Sequence, residues 1–313
     1  MNVVTKAAET VLRLLVLAAL VSQTGCSLIR RLAIRSLADT LASSSEVFAS
    51  DEDPDLVRDA VPFALKTVEG LLGEVPEHRG LLLTACKGFT QYAYAFVETD
   101  AELLEDTDYK AAARLRERAF RLYLRARDYG LRGLELKHPD MAENLRKDPE
   151  AAVAPTTVRD MALLYWTGAA WGSAVSLGRD RPELIADLPA VIAMMRRAVE
   201  LDEEFERGAV HEVLIVLEGL PANMGGSIER ARRHFERAVE LSEGLRASLY
   251  VTMAESVSVP DQDRPEFERL MNQALKVDPD ADPASRLHNL IVQKRARHLL
   301  DHVDELFLEE DLP

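Results

Sequence analysis

One phrase returns three times in the second half of this chain. It reads Arg197-Ala198-Val199-Glu200-Leu201-Asp202, then Arg237-Ala238-Val239-Glu240-Leu241-Ser242, then Gln273-Ala274-Leu275-Lys276-Val277-Asp278-Pro279. Ala198 and Ala238 are 40 residues apart, and Ala238 and Ala274 are 36 apart. A helix-ending phrase that recurs at roughly 34 to 40 residues is the mark of stacked helical hairpins. A single hairpin cannot bury its apolar stripe, so neighbours stack and leave a concave surface suited to binding. The expectation is an all-helical binding protein.

The first 26 residues set the destination. Lys6 and Arg13 supply a positive start, and Leu14 to Val21 is an unbroken apolar run. That run is too short for a membrane-spanning helix and suits the core of a secretory signal. It ends in Gln23-Thr24-Gly25-Cys26, whose last three residues resemble a bacterial lipobox, with Gln23 where an aliphatic residue is usual. Cys26 is the expected lipid-attachment residue. An uncleaved amphipathic helix and an ordinary secretory signal are the plainer alternatives. Ser27, a non-aspartate after the cysteine, favours the outer membrane in the lipoprotein pattern. Leu28, Ile29, Leu32, Leu37 and Leu41 then recur near Arg30, Arg31 and Arg35, either a lead-in resting on headgroups or a first packed helix.

The charge balance narrows the partners. The chain carries 38 basic and 53 acidic residues, a net charge of -15. Removing Lys6, Glu9 and Arg13 with the leader shifts this to -16. Nucleic acid needs a positive footprint, so it is excluded as a partner. With Cys26 lipidated, only Cys86 remains, and it lies in the apolar run Leu81 to Cys86, where a buried structural thiol is expected.

Helical periodicity runs throughout, with no strand alternation to rival it. The fold class expected is all-α, a TPR-like helical-hairpin repeat stack forming a right-handed α-α superhelix. Asp53 and Pro54 read as the N-cap and first residue of a helix reaching 74. Further helices are expected over 79–99 and 109–136. The pattern weakens between Pro139 and Thr157, as a long connection or a short helix with loops. Thr157 with Asp160 resembles a capping box for a helix to 177. Helices follow over 184–201, 204–217, 228–241 (capped by Ser227), 245–257, 265–277 and 283–308. The division expected is a signal at 1–25, a lipidated anchor and lead-in at 26–45, the TPR-like repeat domain at 46–308 and an acidic tail at 309–313.

Four blocks in order carry a family resemblance. They are Phe48 to Lys66 (FASDEDPDLVRDAVPFALK), Tyr92 to Val97 (YAYAFV), Leu164 to Gly172 (LYWTGAAWG), and Gly225-Gly226 leading to Ala231-Arg232-Arg233-His234-Phe235. Together these are similar to TatT-type lipoproteins, TPR-like proteins associated with tripartite ATP-independent periplasmic (TRAP) transporters, and the likeness spans the mature chain. The resemblance implies a periplasm-facing lipoprotein with a pore or groove, paired with the solute-binding subunit of a TRAP system. It also implies an apolar ligand to receive or protect, and a homotrimer as the associated assembly.

Aromatic clusters supply the candidate contacts. Tyr165, Trp166 and Trp171 sit beside Gly168 and Gly172, whose spacing admits close backbone approach, so these rings either pack a hairpin or wall an apolar site. Tyr92 and Tyr94 point to different faces of one helix. Asn223 and Met224, before Gly225-Gly226, form either a binding lip or a tight turn. No Gly-Lys-Ser/Thr follows those glycines, so nucleotide binding is unsupported. His298-Leu299-Leu300-Asp301-His302 resembles a zinc-peptidase helix but has Asp301 where that chemistry needs a longer acid. It reads as a solvated helix face. No metal, cofactor or catalytic residue is therefore expected, and the chain does not read as an enzyme.

The function expected is an accessory component of a TRAP-type uptake system. It would be lipid-anchored, dock the periplasmic solute-binding protein and bind or pass an apolar or amphipathic solute. The alternative is a helical-repeat scaffold for envelope assembly without a small-molecule site.

Overall fold

Local chemistry starts the helices, and buried small residues bring them together. The computed structural model describes residues 45–308. Cys26, the signal, nearly all of the lead-in and the acidic tail lie outside the described residues. After a short helix α1 (Ser45–Ala49), the Asp53 carboxylate accepts from the Asp55 and Leu56 amides at 3.0 Å each and opens α2 (Pro54–Glu74). That helix buries Val57, Leu65, Val68 and Leu72, residues one or two turns apart on a single stripe. Next comes α3 (Arg79–Tyr92), which runs through a π turn (Ala93–Glu98) into α4 (Thr99–Leu103). Asp108 caps α5 (Tyr109–Glu135) by accepting from the Ala111 amide at 2.9 Å.

The weak stretch after Pro139 holds two short helices, α6 (Met141–Lys147) and α7 (Pro149–Val153). Thr157 and Asp160 form the reciprocal capping box, ahead of α8 (Met161–Leu177). The helix expected over 184–201 is broken into α9 (Pro182–Ile185) and α10 (Leu188–Leu201). Pro189 lacks an amide hydrogen and suits a first turn, so the helix restarts there. The next helix, expected from 204, is delayed to α11 (Ala209–Glu218). Glu206, Arg207 and Gly208 all have positive φ, a left-handed run that interrupts any helix.

Ser227 then caps α12 (Ile228–Leu241), accepting from the Arg230 amide at 3.3 Å. The chain continues through α13 (Ala247–Met253), a second π turn (Ala254–Ser258), α14 (Arg264–Lys276), α15 (Arg286–Asp301) and the short α16 (Val303–Leu306). Among the described residues no strand is present, and no helix is long and apolar enough to cross a membrane.

The recurring phrase falls on the last turns of α10, α12 and α14. Ala198, Ala238 and Ala274 each have 0% exposure, so the rhyme marks a small buried residue near the end of each of these helices. Packing is mostly between sequence neighbours, as α2 on α3, α3 on α5, α5 on α8, α8 on α10, α11 on α12 and α13 on α14. The last long helix is the exception. It returns to contact α1, α2 and α4, and Arg286 Nη1 donates to the Ser50 carbonyl at 3.0 Å. The helical stack therefore closes on itself.

Two buried clusters make up the core. One runs from Val57 to Leu217 with Ile291 added, and the other from Ile215 to Phe307. Tyr94 packs against both.

A candidate binding cleft

The two π turns carry side chains to the seam between the clusters. A π turn adds a residue to one helical turn and so shifts which side chains face inward, and such turns are frequent at functional sites. In the first, the Thr99 hydroxyl donates to the Tyr94 carbonyl at 3.0 Å. This turn supplies Tyr94 and Glu98, and the second supplies Glu255. From α15, Arg295 reaches between them. Its Nη1 and Nη2 donate to the two Glu255 oxygens at 2.7 and 2.6 Å, while Nε and Nη2 donate to Glu102. One guanidinium thus holds two carboxylates in fork geometry and joins α4, the second π turn and α15.

Burial and charge tune these groups. Desolvation pushes the Glu98 carboxyl up to about 7, against the hydrogen bond it accepts from the Tyr123 hydroxyl and with Glu102 adding repulsion. Burial likewise raises Tyr94 and Tyr123, keeping both phenols neutral. Desolvation opposes the charge on Arg295, but Glu255 and Glu102 hold it firmly in place.

Rings and ion pairs extend the band. Tyr94 stacks on His288 with centroids 5.9 Å apart, and burial lowers that imidazole, which also feels Glu212 and Arg246. Arg246 Nη1 lies 3.5 Å from Glu212, whose other oxygen accepts from Thr252, and Arg246 Nη2 donates to the Glu206 carbonyl at 2.8 Å. The Glu206 side chain pairs with Lys87 at 2.9 Å, and Lys87 lies over the Trp166 ring at 5.1 Å. Trp166 meets Tyr165 edge-on at 5.0 Å, and Tyr165 tilts against Phe205 at 5.3 Å.

Although hemmed in by helices, the Glu102 and Glu255 side chains keep 29% and 31% of their surface accessible. Water therefore reaches the carboxylate end of the band, while Tyr165 and Trp166 at its other end are only 8% and 7% exposed. Five carboxylates face three cations there, and a protonated Glu98 reduces the excess. Aromatic faces beside paired charges suit a molecule with both apolar and hydrogen-bonding parts.

The aromatic candidates divide by position. Tyr94, Tyr165 and Trp166 belong to the band. Tyr92 packs outside it, tilted against Phe96 at 5.7 Å and accepting from Arg118 at 3.3 Å. Trp171 is fully buried and donates from Nε1 to Asp187 at 3.1 Å, between the Arg127 and Arg146 guanidinia. Asn223 and Met224 are exposed on a 3-10 turn. The adjoining Gly226 is needed by the turn itself, because an added Cβ would lie 1.7 Å from the Leu220 carbonyl oxygen.

Cys86 is buried and its thiol is pushed up to about 12 by desolvation, which leaves it inert. The residues missed at the sequence level are Glu98, Glu102, Glu255, His288 and Arg295. Their one local signal is an acid, Glu98, ending the aromatic run Tyr92 to Val97. Among the described residues one group has the makings of a metal site, Asp106 with His298 and His302.

Comparison with known proteins agrees in outline. The family model for TAtT, the TRAP transporter T-component, matches residues 50–307. An uncharacterized protein of Treponema pallidum (strain Nichols) is 32% identical over 304 residues, covering 91% of this chain and 94% of that relative.

Proposed function

This chain belongs to the TRAP transporter T-component family, and on that premise we propose that it docks the periplasmic solute-binding protein and receives an apolar or amphipathic solute in its cleft. Family membership makes it an accessory component of a TRAP transporter, associated with the envelope. The finer reading adds a lipid on Cys26, an outer-membrane location and a homotrimer.

One observation supports the cleft above the others. Tyr94 bridges both cores, stacks on His288 and stands beside the Arg295 fork where water still reaches. In this reading Tyr165 and Trp166 give the apolar wall, while the paired charges meet the polar end of the solute. The exposed Asn223 and Met224 remain candidates for the partner contact.

A second reading has one observation in its favour. Arg295 is already held by Glu102 and Glu255, and a site whose charges are satisfied internally needs no ligand. That suits an envelope scaffold with no small-molecule site.

Capture of the tagged full chain from gently solubilised envelopes separates the two. The expected result is a TRAP solute-binding protein identified by mass, together with a bound small molecule in the native mass spectrum. Recovery of envelope-assembly factors without either would favour the scaffold.

A further inference from the structure

The end of α15 meets the connection between α4 and α5 at a cluster the cleft does not use. His298 lies in the last turn of α15, His302 is its C-cap, and Asp106 comes from the α4–α5 connection. One ligand atom from each can be chosen so that all lie within 4.8 Å of one another. The His302 Nε2 and Asp106 Oδ2 atoms are 3.3 Å apart. Donors held about 2.0 to 2.1 Å from a tetrahedral zinc ion stand roughly 3.3 Å from each other.

The tautomer also fits. His302 Nδ1 lies 2.8 Å from the His298 carbonyl, which can only accept, so Nδ1 carries a proton and Nε2 is the ring nitrogen turned toward Asp106. An imidazole oriented by a backbone carbonyl behind it is the usual support of a zinc ligand. A plain ion pair would account for His302 and Asp106. It leaves His298 unexplained, because that imidazole makes ring contact with His302 at 4.2 Å and no side-chain hydrogen bond among the described residues.

We propose that Asp106, His298 and His302 bind zinc(II), with water completing the coordination. Two imidazoles and one carboxylate suit zinc, whereas magnesium and calcium want oxygen donors. The site ties the α4–α5 connection to the end of α15, the same closure that Arg295 and Glu102 make one turn earlier. The ion would act as a clasp on the closed stack.

The test uses the full chain without a polyhistidine tag, stripped with a chelator and titrated with zinc chloride against a chromophoric competitor. The wild type is expected to take one zinc per chain. Its thermal midpoint should rise by roughly 5 °C when zinc is in hundredfold excess over Kd. His298→Ala, His302→Ala and Asp106→Asn should each weaken binding by at least about tenfold, the scale lost even when a group behind the ligands is removed. The metal-free midpoint of His298→Ala should match the wild type, which separates loss of metal from loss of fold. Absence of stoichiometric zinc in the wild type, or wild-type affinity retained in the three variants, overturns the site.

Discussion

At the scale of single residues, Arg295 and Glu98 carry the largest consequences. The Arg295 side chain is 12% exposed, and removing its charge leaves the part-buried Glu102 and Glu255 facing each other without a cation. Breaking such a pair on one side costs about 3 kcal/mol. Arg295→Met should therefore lower stability by that order in chemical denaturation, and adding Glu102→Gln should recover part of the loss. Glu98 makes a different prediction, about pH. Its folded-state value is raised to about 7 from 4.5, so the folded chain keeps a proton that the unfolded chain has lost across that interval. Stability should fall as pH rises through this window and level off above it. Glu98→Gln can still accept the Tyr123 hydrogen bond and has no charge to bury. The variant should lose the slope and exceed the wild type at pH 8 by up to about 3 kcal/mol, as read from denaturation midpoints at a series of pH values.

At the scale of elements, the starts of helices were legible and their interiors less so. Asp53 with Pro54, Thr157 with Asp160, and Ser227 each cap the helix expected of them, because capping depends on residues within three positions. Ser227→Ala should cost about 1 kcal/mol by thermal unfolding, since the Arg230 amide loses its acceptor. The two π turns had no comparable signal. Ala93 to Glu98 and Ala254 to Ser258 read as ordinary helix, and the carboxylates they carry, Glu98 and Glu255, meet Tyr123 and Arg295, 25 and 40 residues away. The same holds for the delayed start of α11. Glu206 is held by Lys87 and its carbonyl by Arg246, contacts 119 and 40 residues away.

At the scale of the whole molecule, the return of α15 is the deciding feature. An open array of hairpins unfolds in pieces, since each unit touches only its neighbours. Here α15 contacts α1, α2 and α4, and Tyr94 belongs to both buried clusters. The described body should unfold in one calorimetric transition. Arg295→Met should broaden that transition or split it, because it cuts the bond between the ends. Two well-separated transitions in the wild type would mean that the closure contributes little.

The sequence by itself determined the helical class, the caps, the acidic balance, the recurring buried alanines and the family. Each of these rests on local spacing or on ordered blocks of residues, and neither needs a distance across the fold. Tertiary structure alone decided which side chains share a space. Nothing along the chain ties Glu102 to Arg295, Tyr94 to His288 or Asp106 to His302, which lie 193, 194 and 196 positions apart. Trp171 and Tyr165 look equivalent on one helix and both are buried, yet Trp171 donates to Asp187 while Tyr165 packs against Trp166 and Phe205. The physical reason is that helical periodicity specifies a face, while the partner of that face is set by how the whole stack closes.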